Sequence, residues 1–160
     1  MIQETAYVAL GSNLGDRAHN IYDGVRLLIE RTGVRVRLSP LYETDPVGFA
    51  DQPAFLNGVA ELWGKLPEPR ELLATCMRIE TELGRVRTVV DGPRTLDLDL
   101  LLCGDFVAAD ERLTLPHPRM HTRAFVLRPL VDLAPEARHP VLRATASELL
   151  RALESADTWI

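Results

Sequence analysis

Short apolar runs and helix-spaced apolar stripes follow one another in the order strand, helix, strand, strand, helix, strand, and this order predicts an α+β fold. The expected arrangement is a ferredoxin-like βαββαβ sandwich, an antiparallel sheet with helices packed on one face and a C-terminal segment added to that core. Length agrees, since 160 residues bury about two thirds of their unfolded surface in one domain. No repeat, low-complexity run or linker divides residues 1–160. With 46% hydrophobic and 26% charged residues, the composition is that of an ordinary soluble globular chain.

Thr5 to Leu10 reads as a short buried strand that breaks at Gly11-Ser12-Asn13-Leu14-Gly15-Asp16. This run is read as a tight strand-to-helix turn in preference to an anion nest, because it lacks the Gly-Lys-Ser/Thr ending of a P-loop. Asp16 is the expected N-cap, Ile21, Val25, Leu28 and Ile29 follow helical spacing, and Gly33 supplies the stop. Val34 to Thr44 alternates apolar and polar residues as one half-buried strand. Asp45 to Pro53 is an expected exposed loop, and Phe55 to Trp63 an antiparallel partner strand. A second helix begins at Pro67 to Pro69, carries Leu72, Leu73, Cys76, Ile79 and Leu83 inward, and closes at Gly84. Ala146 to Leu153 is a short amphipathic helix on the outside.

The last strand of the predicted sheet holds the chemistry. In Gly92-Pro93-Arg94-Thr95-Leu96-Asp97-Leu98-Asp99-Leu100, alternation puts Asp97 and Asp99 on one face, roughly 6.5–7 Å apart at the backbone, and the leucines on the other. Aspartate is depleted in strands, and paired like charges repel unless a cation lies between them. Two readings stand at this point: a divalent metal site for a hard ion such as Mg2+, or a half-buried strand whose polar face is wet. Leu100 to Cys103 is apolar on both faces, so the acids sit at the mouth of a buried strand, where ligand sites are commonly built. Arg85, Arg87 and Arg94 precede them, either as partners in a solvated ion-pair network or as phosphate ligands.

A net charge of -5 argues against nucleic acid as a partner. All but one of the 18 basic residues are arginine, Lys65 being the exception, and guanidinium suits phosphate. Cys76 and Cys103 lack any CxxC or Cys/His context and read as buried free thiols in a reducing compartment. Neither a signal peptide nor a membrane span is expected, which makes the cytoplasm the expected location.

Five segments occur in order: Gly11-Ser12-Asn13, Gln52-Pro53-Ala54-Phe55-Leu56-Asn57, Ile79-Glu80 with Gly84-Arg85, Gly92 to Asp99, and Pro116-His117-Pro118-Arg119. The ordered set resembles the 6-hydroxymethyl-7,8-dihydropterin pyrophosphokinase family over essentially the full chain. The resemblance implies transfer of pyrophosphate from ATP to the pterin's hydroxymethyl oxygen, a folate-pathway step, by a monomer. It implies that Asp97 and Asp99 hold two Mg2+ ions, and that Arg85, Arg94, His117 and Arg123 contact ATP, with Glu80 bordering that site. It further implies that Phe55 and Phe125 sandwich the pterin, that Asn57 reads its edge, and that groups near Thr44 and Val47 complete the pocket. Without the family, Phe55 and Phe125 read as ordinary core aromatics. Two departures stand out: Asp91 where many relatives have Trp, and Met77 where many carry Gln.

Overall fold

The computed structural model describes residues 4–45, 51–84 and 95–157. Its main elements are β1 (Ala6–Ser12), α1 (Arg17–Thr32), β2 (Arg35–Leu38), β3 (Tyr42–Thr44), β4 (Phe55–Trp63), α2 (Pro69–Glu82) and β5 (Asp97–Cys103). A two-stranded ribbon, β6 (Ala108–Ala109) and β7 (Thr114–Leu115), then leads to a 3-10 turn (Met120–Thr122), α3 (Ala124–Leu133) and α4 (Ala146–Asp157). The sheet runs β2-β4-β1-β5, with β3 also on β4 and every pairing antiparallel. The fold is α+β, as expected.

Local signals account for the helix ends. Asp16 accepts the His19 N–H at 3.1 Å, and Gly33 closes α1 with a left-handed φ of 76°. Ile21 and Leu28 are fully buried, but Ile29 is 43% exposed and leaves the predicted stripe. It lies about 100° round the helix from Leu28, and Gly24 takes the inward place instead. At the far end of the chain, Thr145 and Glu148 exchange hydrogen bonds as a capping box for α4 (3.2 and 3.0 Å).

Two strand expectations are corrected. β1 continues through Gly11 and Ser12, which pair with Asn57 and Leu56 instead of opening the turn. Val34 to Thr44 is two strands, because Pro40 has no N–H to give the ladder and Ser39 takes over. Its N–H donates to Val59 O and its hydroxyl accepts from Val59 N–H, both at 2.9 Å. Leu38 is opposite Ala60, yet Tyr42 is opposite Asn57, so the interruption carries one extra residue. A one-residue slip reverses every later side chain. Leu41 therefore packs into the core beside Gly58, and Thr44 turns to the opposite face.

That face is also where the expectation of helices on one side fails. One cluster, including Val8, Leu10, Ile21, Leu28, Ile79 and Leu98, joins α1 and α2 to the sheet. A second, with Tyr7, Val59, Leu101, Leu130 and Ala146, joins α3 and α4 to the other face. The C-terminal segment thus adds a third layer. A bulge at Leu101 and Leu102, where Tyr7 pairs Leu102 and Val8 pairs Leu100, turns both leucines into the second cluster. No helix among the described residues is long and apolar enough to cross a membrane.

Candidate active site

The C-terminal layer covers only part of its sheet face. Beyond the start of α3 the register leaves open the cross-strand row of Asn57, Gly11 and Asp97, and Ala9 and Asp99 of the next row, whose third member Val59 is buried in the second cluster. Phe55 and Thr44, opposite each other, form the neighbouring row on the outer side of Asn57. Small residues in the middle make a floor, and a cavity of about 540 Å³ lies over it.

This cavity brings together Thr44, Phe55, Asn57, Glu80, Asp97, Asp99, His117, Arg123 and Phe125. Every predicted site residue among the described residues is therefore on its wall. Val47, Arg85 and Arg94, with Asp91 of the first departure, lie outside the described residues. Asp97 and Asp99 share the open face as alternation requires, both half-buried, while Leu96, Leu98 and Leu100 are in the core.

The surroundings of the acids are held from both sides. Glu80, 3% exposed on α2, accepts the N–H of Leu98 at 2.8 Å, which fixes the outer edge of β5 between the two carboxylates. His117 N–H donates to Leu101 O at 2.9 Å on the same strand. The imidazole Nδ1 accepts Arg119 N–H at 3.1 Å, so its proton resides on Nε2. Burial first, then Arg123 and Arg119, pull its pKa down to about 4 against a smaller upward pull from Asp97. At neutral pH His117 is an uncharged donor.

Arg123 lies 5.4 Å from the centroid of Phe125, a cation–π contact at the border of the cationic and aromatic walls. Asn57, 8% exposed, donates from Nδ2 to Thr44 Oγ1 at 2.5 Å. The Gly11-Ser12-Asn13 and Gln52-Pro53 segments also meet: Asn13 Nδ2 donates to Gln52 Oε1 (2.8 Å) and Pro53 O (3.0 Å). Arg17 adds a bond to Ala54 O at 2.9 Å. The turn acts as a strap on the segment entering β4, in line with the strand-to-helix reading. Cys76 and Cys103 are buried free thiols whose pKa burial pushes up to about 12, so they stay protonated.

Arg112, Arg119 and Gly11 also line the cavity, although the sequence did not single them out for roles there. Arg112 enters through a turn in which Asp110 accepts the N–H groups of Arg112 and Leu113 at 2.9 Å and pairs with Arg70 of α2. Nothing local in the sequence signals that approach. Arg119 stood in the Pro-His-Pro-Arg motif, which was the available signal. Gly11 had been assigned to the turn. Met77, the departure on α2, is 52% exposed on the cavity wall.

The comparisons with known proteins agree with this geometry. Residues 7–135 match the model of the family described as 7,8-dihydro-6-hydroxymethylpterin-pyrophosphokinase. A 2-amino-4-hydroxy-6-hydroxymethyldihydropteridine pyrophosphokinase of Pseudomonas aeruginosa is 50% identical over 141 residues, covering 88% of this chain and 86% of that protein. The Folic acid synthesis protein fol1 of Schizosaccharomyces pombe is 44% identical over 151 residues, covering 94% of this chain but only 20% of that longer protein. Among solved structures, an HPPK-DHPS protein of Plasmodium falciparum superposes with a TM-score of 0.74 at 17% identity, over 96% of this chain and 46% of that one, a likeness of fold. The chain belongs to the 7,8-dihydro-6-hydroxymethylpterin-pyrophosphokinase family.

Proposed function

We propose that this protein transfers the pyrophosphoryl group of ATP to the hydroxymethyl oxygen of 6-hydroxymethyl-7,8-dihydropterin, acting as a monomer in the cytoplasm. The observation that carries the reading is one open row across the sheet, with an amide reader at Asn57, bare floor at Gly11 and a carboxylate at Asp97. A flat heterocycle held at the Asn57 end presents a short substituent toward the acids. The sheet order β2-β4-β1-β5, with β2 and β3 counted as one bulged strand, supports a ferredoxin-like arrangement.

Asp97 and Asp99 suit Mg2+: two hard carboxylate donors on one face, beside a floor made of Ala9 and Gly11. Among the described residues no cluster of three or more metal-binding side chains occurs, which leaves positions for water and phosphate oxygens. Two Mg2+ ions held there would neutralise triphosphate charge and lower the pKa of the attacking alcohol. Arg123 and the His117 Nε2–H orient the phosphate tail, with Arg85 and Arg94 assigned the same task by family resemblance. Phe55 and Phe125 stack on the pterin ring, giving apolar burial, while Asn57 discriminates donors from acceptors. The alcohol gives up its proton to solvent as its oxygen attacks the β phosphorus, the bond from that phosphorus to the oxygen bridging the α phosphorus breaks, and AMP leaves with the bridging oxygen.

Product analysis tests this. Purified protein with ATP, Mg2+ and the reduced hydroxymethyl pterin is expected to give AMP and pterin diphosphate in equal amounts, and AMP only when pterin is present. ADP would mean γ-phosphate chemistry, and saturable binding without AMP a non-catalytic nucleotide or pterin sensor; either result overturns the proposal.

A further inference from the structure

Glycines earn their place either by backbone conformation or by the room they leave. Gly15, Gly33, Gly64, Gly84 and Gly104 have positive φ. Gly11 does not: it is an ordinary strand residue paired on both sides, with Asn57 and with Asp97. Nothing in its backbone calls for glycine, so the room it leaves is what matters.

A Cβ at position 11 would stand 2.9 Å from Asn57 Oδ1 and 3.7 Å from the Phe55 ring. The first distance is closer than real Cβ contacts come. At Gly24 and Gly58 the missing side chain makes room chiefly for the core leucines Leu96 and Leu41. Among the described glycines, Gly11 alone yields its space to cavity residues.

The Asn57 amide is pinned from two directions. Nδ2 donates to Thr44 Oγ1, and Oδ1 nests against the bare Cα of Gly11. We propose that Gly11 is a specificity-determining position for the heterocycle, because its missing side chain lets Asn57 present one fixed donor and acceptor pattern to the ring. This rests on the pterin reading of the cavity. An added methyl swings the amide away, costs the Thr44 bond and removes the pattern. The clash falls on the end of a flexible side chain, so the sheet itself tolerates the change.

Steady-state kinetics on wild type, Gly11→Ala, Asn57→Ala and the double variant test the inference. Gly11→Ala is expected to raise the pterin KM roughly tenfold, the scale of one buried hydrogen bond, with the ATP KM changed less than about twofold. In the Asn57→Ala background the same change is expected to add nothing, since the colliding atom is gone. An unchanged pterin KM, or an equal loss in both backgrounds, overturns the inference while leaving the activity in place. Wild-type protein that makes no AMP with pterin overturns the functional reading and this inference with it. Should Gly11→Ala not fold, recovery of folding in the double variant supports the collision, and its absence overturns it.

Discussion

Single residues at this site are tuned by what touches them. His117 keeps its proton on Nε2 because a backbone N–H occupies Nδ1, and it resists a second proton because it is buried beside two arginines. With a folded pKa of about 4 against an ordinary 6.5, the folded state releases a proton that the unfolded chain holds. Its contribution to stability is complete above about pH 6.5 and is lost as pH falls toward 4. NMR titration is expected to place His117 near 4, and His117→Gln to flatten the fall of Tm between pH 6.5 and 4. A midpoint near 6.5 contradicts this account. The placement of Asp97 and Asp99 was legible in the sequence because strand alternation is local. Thr44 was not: one residue at Ser39-Pro40 decides its face, and the slip shows only against β4.

At the scale of elements, β5 is an edge strand carrying two charges, and its outer side depends on α2. Glu80 supplies the acceptor for the Leu98 N–H from a buried carboxylate. Glu80→Ala orphans that N–H, which costs about 2–3 kcal/mol and on the order of 5–10 °C in Tm. Glu80→Gln keeps an acceptor oxygen and is expected to lose less than half as much by circular dichroism melting. Equal losses would mean that the bond is not what holds the strand. Helix starts and stops at Asp16 and Gly33 were readable because caps are short-range. The turn at Asp110 that brings in Arg112 depends on Arg70 of another element, a contact across 40 residues that no local pattern encodes.

For the whole molecule, one sheet is shared by two apolar clusters, and the cavity exists where the second stops short. The periodicity of α1 and α2 foretold the first cluster. The second was unforeseen because its sheet residues, Tyr7, Val59 and Leu101, read simply as buried strand, with no sign of which helices would cover them. Because the clusters meet through the same strands, unfolding is expected to be a single transition. Leu130→Ala, at a fully buried site of the second cluster, is expected to cost about 2–5 kcal/mol with tryptophan fluorescence and circular dichroism still coincident. Two separated transitions would show that the C-terminal layer folds independently of the sheet.

The proposed reaction turns on two carboxylates that share one open face over a floor with almost no side chain. Turnover of ATP and hydroxymethyl pterin by Asp97→Ala and Asp99→Ala, beside thermal melts of the same samples, addresses that claim most directly. The prediction is a native-like melt with AMP production abolished in both variants. Near-normal AMP production by either, in folded protein, would contradict it.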